Sequence, residues 1–246
     1  MAPAVHNTAP MQAHLALVRT EPPSGPATLA VPAQNAFELE DVSRRFGPRW
    51  ALCRVSYSLP AGRSLLLTGH NGSGKTTLLR VLATSYKPSA GTLRVFGMDS
   101  QKQTDAIRRK VALLSHANAL YDDLSAAQNL TLLARLLDVE DPRGKVQAIL
   151  DRVGLGKREG QAVRTFSAGM KKRLAIGRML LKRPELVLLD EPFGELDPAG
   201  IEQMEGIIGE LRAGGTTLVL ATHLIEQGER LCQDRLHLED GWMVTP

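Results

Sequence analysis

Aromatic side chains are scarce: phenylalanine, tryptophan and tyrosine together make up 4% of 246 residues. That leaves no row of rings on which nucleic-acid bases would stack. Long runs of like charge are also missing. The balance of 30 basic and 26 acidic residues gives a net charge of only +4. The basic residues fall in short groups (Arg44-Arg45, Arg108-Arg109-Lys110, Lys171-Lys172-Arg173) that read as solvated surface, and no nucleic-acid partner is expected. The 2 cysteines, Cys53 and Cys232, match no metal-ligand spacing. They read as buried thiols of a reduced, cytoplasmic protein. No stretch of about 18 apolar residues exists to span a membrane. The first 18 residues have neither a basic start nor a continuous apolar run, so a signal peptide is not expected.

With 43% hydrophobic and 23% charged residues, the composition is that of an ordinary globular chain. Residues 1–36, rich in alanine and proline, read as a disordered extension whose removal should leave folding unchanged. From Phe37 to Pro246 the pattern becomes that of one domain. AFELEDVSRRF and WALCRVSYSLPAG alternate as strands of an antiparallel β subdomain, and AGTLRVFG returns to strand. SLLLTG, ELVLLDE and TTLVLAT are short apolar runs suited to buried parallel strands. KTTLLRVLATSY and GIEQMEGIIGELRAGG have helical spacing, the latter with a glycine stop. Between about 118 and 182 strand signals fade. Leu130, Leu132, Leu133, Leu136 and Leu137 predict one amphipathic helix, and Val146, Ile149, Leu150 and Val153 another. The fold class expected is α/β: a P-loop NTPase core with a mostly parallel sheet, an N-terminal antiparallel β subdomain and an inserted α-helical subdomain.

Chemistry concentrates at four places. GHNGSGKT, from Gly69 to Thr76, fits G-x-x-x-x-G-K-[ST] between an apolar strand and a helix. Backbone N–H groups of Gly69, His70, Asn71, Gly72, Ser73 and Gly74 can curl around phosphate oxygens. Lys75 reaches the β- and γ-phosphates, Thr76 offers a hydroxyl to Mg²⁺, and Thr77 follows it into the helix. ATP and Mg²⁺ are the ligands this implies. Asp190 and Glu191 end an apolar strand, the first as a Mg²⁺ partner and the second as a base that polarises water. His223 ends another strand that should reach the same sheet edge, where it can contact the γ-phosphate. The fourth is FSAGM: Ser167 and Gly169 open a basic helix whose N-terminus is a second anion site.

Together these motifs resemble the ATP-binding subunit of an ABC transporter, over some 210 residues from Phe37 onward. GHNGSGKTT stands as Walker A, FSAGM as the signature, LVLLDE as Walker B, GELD as the D-loop and His223 as the switch histidine. The resemblance adds Asp197 of the D-loop and Phe46, an adenine-stacking aromatic, to the nucleotide-contacting residues. It also accounts for two anion sites in one chain. Two such ATPase subunits dock head to tail, and each ATP lies between one chain's Walker A and the other's signature. Membrane-spanning subunits then convert the motion into transport, which puts the chain at the cytoplasmic face of a membrane. Ala168 and Met170 depart from the family's usual glycine and glutamine. At position 116 the family's usual Mg²⁺-contacting glutamine is His116, a poorer ligand for that ion, which implies contact through water. His116, SAG and DEPF resemble the ATPase of the haem exporter of cytochrome c maturation. A soluble ABC-type ATPase acting on a scaffold, as in iron-sulfur cluster assembly, is the alternative. A P-loop kinase or GTPase has no reason to carry FSAGM, and no N-K-x-D motif for reading a guanine base is present.

Overall fold

The alternating segments at the start fold into an antiparallel pair, β1 (Asn35–Phe46) and β2 (Arg49–Pro60), in a computed structural model that describes residues 34–115 and 119–244. β3 (Ser64–Thr68) and α1 (Lys75–Leu82) follow. β4 (Ala90–Val95) returns to pair antiparallel with β1, and the short β5 (Met98–Asp99) completes a sheet of order β2-β1-β4-β5. This is the expected antiparallel β subdomain.

The second sheet carries the site. After α2 (Thr104–Lys110) come β6 (Val111–Leu114) and the helices α3 (Ala126–Leu136), α4 (Pro142–Arg152) and α5 (Ala168–Lys182). The chain ends with β7 (Leu186–Asp190), α6 (Pro198–Ala213), β8 (Thr217–Ala221), α7 (Ile225–Leu231), β9 (Asp234–Glu239) and β10 (Trp242–Val244). The strand order is β10-β9-β3-β8-β7-β6, parallel throughout except for β10.

Every residue of β3, β7 and β8 is buried, because both faces of these strands are covered. Leu66, Val187, Leu189, Leu218 and Leu220 face a core shared with α3 to α6. Their neighbours Leu65, Leu67, Leu188 and Val219 face a second core under α1 and the β subdomain. Each buried leucine stabilises the sheet by about 1.5–3 kcal/mol. α3, α4 and α5 pack on one another as the inserted helical layer. Each is started by a side chain: Ser125 in a capping box with Gln128, Asp141 on the Gly144 N–H, Ser167 on the Met170 N–H.

Four expectations change. The domain starts earlier than Phe37: Asn35 pairs with Pro60, the Ala61 N–H donates to the Gln34 carbonyl, and Ala36 is fully buried. The extension as read from the sequence otherwise falls on residues 1–33, outside the described ones. Leu136, assigned to an apolar helix face, is 72% exposed, because α3 ends there and its buried stripe runs through Ala126, Leu130 and Ala134. The pair α2 and β6 is unanticipated, since a four-residue edge strand directly after Arg108-Arg109-Lys110 carries almost no pattern. Cys53 and Cys232 are free and only half-buried, and burial pushes the Cys232 thiol up to about 12.

The early start of β1 makes a prediction. A chain beginning at Phe37 should melt several degrees (~5 °C) below one beginning at Gln34, because it loses backbone pairing and the buried Ala36. Differential scanning calorimetry of the two truncations checks it, and equal melting temperatures would count against this start.

Candidate nucleotide site

β3, β8 and β7 are neighbours and parallel, so the segments after them emerge on one edge. The phosphate loop follows β3 and runs directly into α1, whose N-terminal N–H groups point back at it. Gly74 caps α1 at φ +110°, and a Cβ there would stand 2.6 Å from the Ala51 carbonyl oxygen, so no other residue fits. The Lys75 ammonium donates to the carbonyls of Gly69 and His70 at 2.7 and 2.9 Å, closing the loop on itself. His70 accepts no role toward the loop interior: its ring meets the Asn71 carbonyl at 2.9 Å and Asp240 at 3.3 Å. The Ser73 hydroxyl is buried without a partner.

The carboxylates meet this loop from β7. Asp190, 3% exposed, accepts a hydrogen bond from the Thr76 hydroxyl at 3.2 Å. Glu191, next in sequence, turns into the left-handed region at φ +49°. Its N–H donates to the Ala221 carbonyl at the end of β8. Its Oε2 lies 2.8 Å from His223 Nδ1 and 3.3 Å from the His223 N–H. Phosphate loop, Asp190, Glu191 and His223 therefore form one continuous constellation across three strand ends.

A cavity of about 470 Å³ joins these groups to the β subdomain, lined by Phe46, Arg49, Ala51, Gly72, Lys75 and Asp190 among others. Phe46 is 41% exposed, not a core residue. Its ring packs edge-on against Tyr86 at 5.2 Å, with the Arg44 guanidinium 4.5 Å from its centroid. Arg49 was not anticipated. Its nearness to Phe46 across the β1–β2 turn was the available signal.

FSAGM lies elsewhere. Ser167, Gly169, Arg173, Glu195 and Asp197 line a separate cavity of about 640 Å³ that shares no residue with the first. The Ser167 oxygen accepts from the Met170 N–H at 3.2 Å, as a helix cap. Gly169 packs so closely on the D-loop that a Cβ would stand 2.8 Å from the Glu195 carbonyl oxygen. Asp197 caps α6 on the Gly200 N–H at 3.0 Å and pairs with Arg173 at 2.7 Å. That N–H and then Arg173 hold its carboxyl below the usual carboxylate range. Asp197 thus sits beside the signature and not in the phosphate-loop cavity.

The buried Lys172 was missed as well. It stands with Ala175, Ile176 and Met179 on the inward stripe of α5, and a charge at that spacing was the overlooked signal. Burial pushes its ammonium down, against the pull of Glu195, Asp190 and Glu191.

The residues fit ATP and Mg²⁺. Gly74 leaves a cradle that a Cβ would fill, Ser73 has an unpaired buried hydroxyl, and Thr76 with Asp190 forms a pair of hard oxygen donors. Among the described residues no cluster of three His, Cys, Asp or Glu side chains offers another metal site. His116 lies outside the described residues.

The ABC transporter family model matches residues 52–194 of the chain. The chain belongs to the ABC transporter family. A daunorubicin-resistance ATP-binding protein of Streptomyces coeruleorubidus is 35% identical over 214 residues, covering 86% of this chain and 67% of that protein. A bacitracin transport ATP-binding protein of Enterococcus faecalis is 30% identical, covering 86% and 68%. A lantibiotic transport ATP-binding protein of Streptococcus pyogenes is 30% identical, covering 79% and 82%. Among solved structures, an ATP-binding subunit of an ABC transporter superposes with a TM-score of 0.80 at 26% identity, over 85% of this chain and 88% of the other. A dimeric bacterial ABC transporter cassette does so at 0.77 and 25% identity, over 85% and 97%. As a member of this family the chain is an ATP-hydrolysing transporter subunit. No described helix is long and apolar enough to cross a membrane.

Proposed function

We propose that this ABC ATPase powers export of a small antibiotic-like molecule through separate membrane subunits, sitting peripherally at the cytoplasmic face. Support for the cargo class comes from the similar proteins named for daunorubicin, bacitracin and lantibiotic. Support for the chemistry comes from one observation above the others: the Glu191–His223 contact of 2.8 Å beside the Asp190–Thr76 pair.

The adenine rests on the half-exposed Phe46, and the phosphates on the loop from Gly69 to Thr77. On ATP binding the Lys75 ammonium exchanges loop carbonyls for β- and γ-phosphate oxygens. Thr76 and Asp190 would hold Mg²⁺, which neutralises charge on those oxygens. Glu191 takes the proton of the attacking water, and His223, holding Glu191 Oε2, keeps the carboxylate aimed. Ser167 and Gly169 of a second subunit cover the γ-phosphate, with Asp197 steadying the segment beside them. A homodimer satisfies this as well as a heterodimer.

Haem export in cytochrome c maturation is the finer reading that His116, Ala168 and Phe193 favour. The similar proteins named above carry other cargoes, and the scaffold ATPase of iron-sulfur assembly is not favoured by them. Affinity purification of the Glu191→Gln protein from detergent-solubilised membranes tests the transporter reading. A polytopic membrane protein should copurify, and recovery with a soluble scaffold alone would overturn it. His116→Gln places a better oxygen ligand near Mg²⁺, so basal ATPase activity should hold or rise up to about threefold. A collapse of steady-state hydrolysis would instead make His116 a specific element of catalysis.

A further inference from the structure

Lys172 is 1% exposed, among the largest fully buried side chains of the molecule. A buried ammonium is strongly destabilising unless it is bonded and faces opposite charge. Lys172 has both: its Nζ donates to the Glu191 carbonyl at 3.0 Å, with the carboxylates of Glu195, Asp190 and Glu191 around it. The backbone of Glu191 is thus pinned on two sides, its N–H by Ala221 on β8 and its carbonyl by Lys172 on α5. Pinning is needed there. Glu191 and Glu195 are both non-glycine residues at positive φ, +49° and +67°, a strained backbone that persists only where its surroundings hold it.

Lys172 is one of three ties between α5 and the segment 191–197. Gly169 abuts the Glu195 carbonyl, and Arg173 pairs with Asp197 at 2.7 Å. The helix that begins with Ser167 is therefore fastened to the segment that begins with Glu191 of the same chain.

We propose that Lys172 is a positioning residue for Glu191: its bond to the Glu191 carbonyl fixes the direction of the proton-accepting carboxylate and ties it to the signature helix. The lysine lines neither the phosphate-loop cavity nor the signature cavity. This rests on the reading of Glu191 as the base and of the protein as an ATP-closed dimer. Lys172 acts after ATP is bound, so its loss should slow hydrolysis without loosening nucleotide.

Lys172→Met keeps the length of the side chain and removes the donor and the charge. Turnover at saturating ATP should fall at least about tenfold, and ATP affinity should stay within about twofold. Lys172→Arg, which keeps charge and donors, should restore most of the turnover. Lys172→Met should still accumulate an ATP-bound dimer by gel filtration, the result expected of Glu191→Gln. A lysine serving only to hold α5 in place would lose that dimer together with turnover. Unchanged turnover, a parallel loss of ATP affinity, or an arginine variant no better than methionine overturns the proposal. Should methionine prevent folding, Lys172→Gln enters the same assays with the same criteria. Glu191→Gln run alongside separates the two ideas. If it forms no ATP-bound dimer, the dimer reading fails; if it does and Lys172→Met does not, the role of Lys172 fails.

Discussion

Glu191→Gln should bind ATP as tightly as the native chain and hydrolyse it about 100 to 1,000 times more slowly, the usual loss when a general base is removed. The substitution is nearly isosteric. A glutamine carbonyl can still accept from the His223 N–H, and the backbone at φ +49° is asked nothing new. Asp190 and Thr76 keep their 3.2 Å contact and Lys75 its place in the loop. What disappears is the proton acceptor. Binding thus stays and chemistry stops, so the purified variant should collect as an ATP-bound dimer. Equilibrium titration and single-turnover hydrolysis measure the two halves separately. Near-normal turnover would remove Glu191 from the catalytic role and leave the 2.8 Å contact with His223 without a chemical reason.

The site was legible wherever function compresses into contiguous residues. The phosphate loop, Asp190, Glu191 and the capped start of α5 can each be read from a few adjacent letters, because strand ends and helix starts are local events. The buried strands β3, β7 and β8 announced themselves by unbroken apolar runs, since parallel strands covered on both faces need no polar alternation. What stayed hidden depends on contacts distant in sequence. Arg49 faces Gly72 only because β2 crosses over the loop. Lys172 looks like one more surface lysine in a KKR triplet until α5 is docked and its ammonium meets the Glu191 carbonyl. Asp197 carries the motif of the D-loop, yet it sits beside the signature, capping α6 and holding Arg173. β6 is short and at the sheet edge, so pairing with β7, not pattern, makes it a strand.

In the proposed dimer each ATP is held by the phosphate loop of one chain and the signature of another. Within a single chain the two cavities share no lining residue, as two half-sites require. Lys75→Ala removes the charge that meets the β- and γ-phosphates, and Ser167→Arg places bulk where the signature must approach phosphate. Each substitution alone, in a homodimer, damages both composite sites. Split between two differently tagged chains, both lesions fall on one site. The other then combines an intact Lys75 with an intact Ser167. ATP occlusion in the isolated mixed dimer is the measurement. About one nucleotide should be occluded per mixed dimer, against little or none in either homodimer. A mixed dimer as inert as its parents would mean that the signature serves its own chain's nucleotide, and the shared-site account would be wrong.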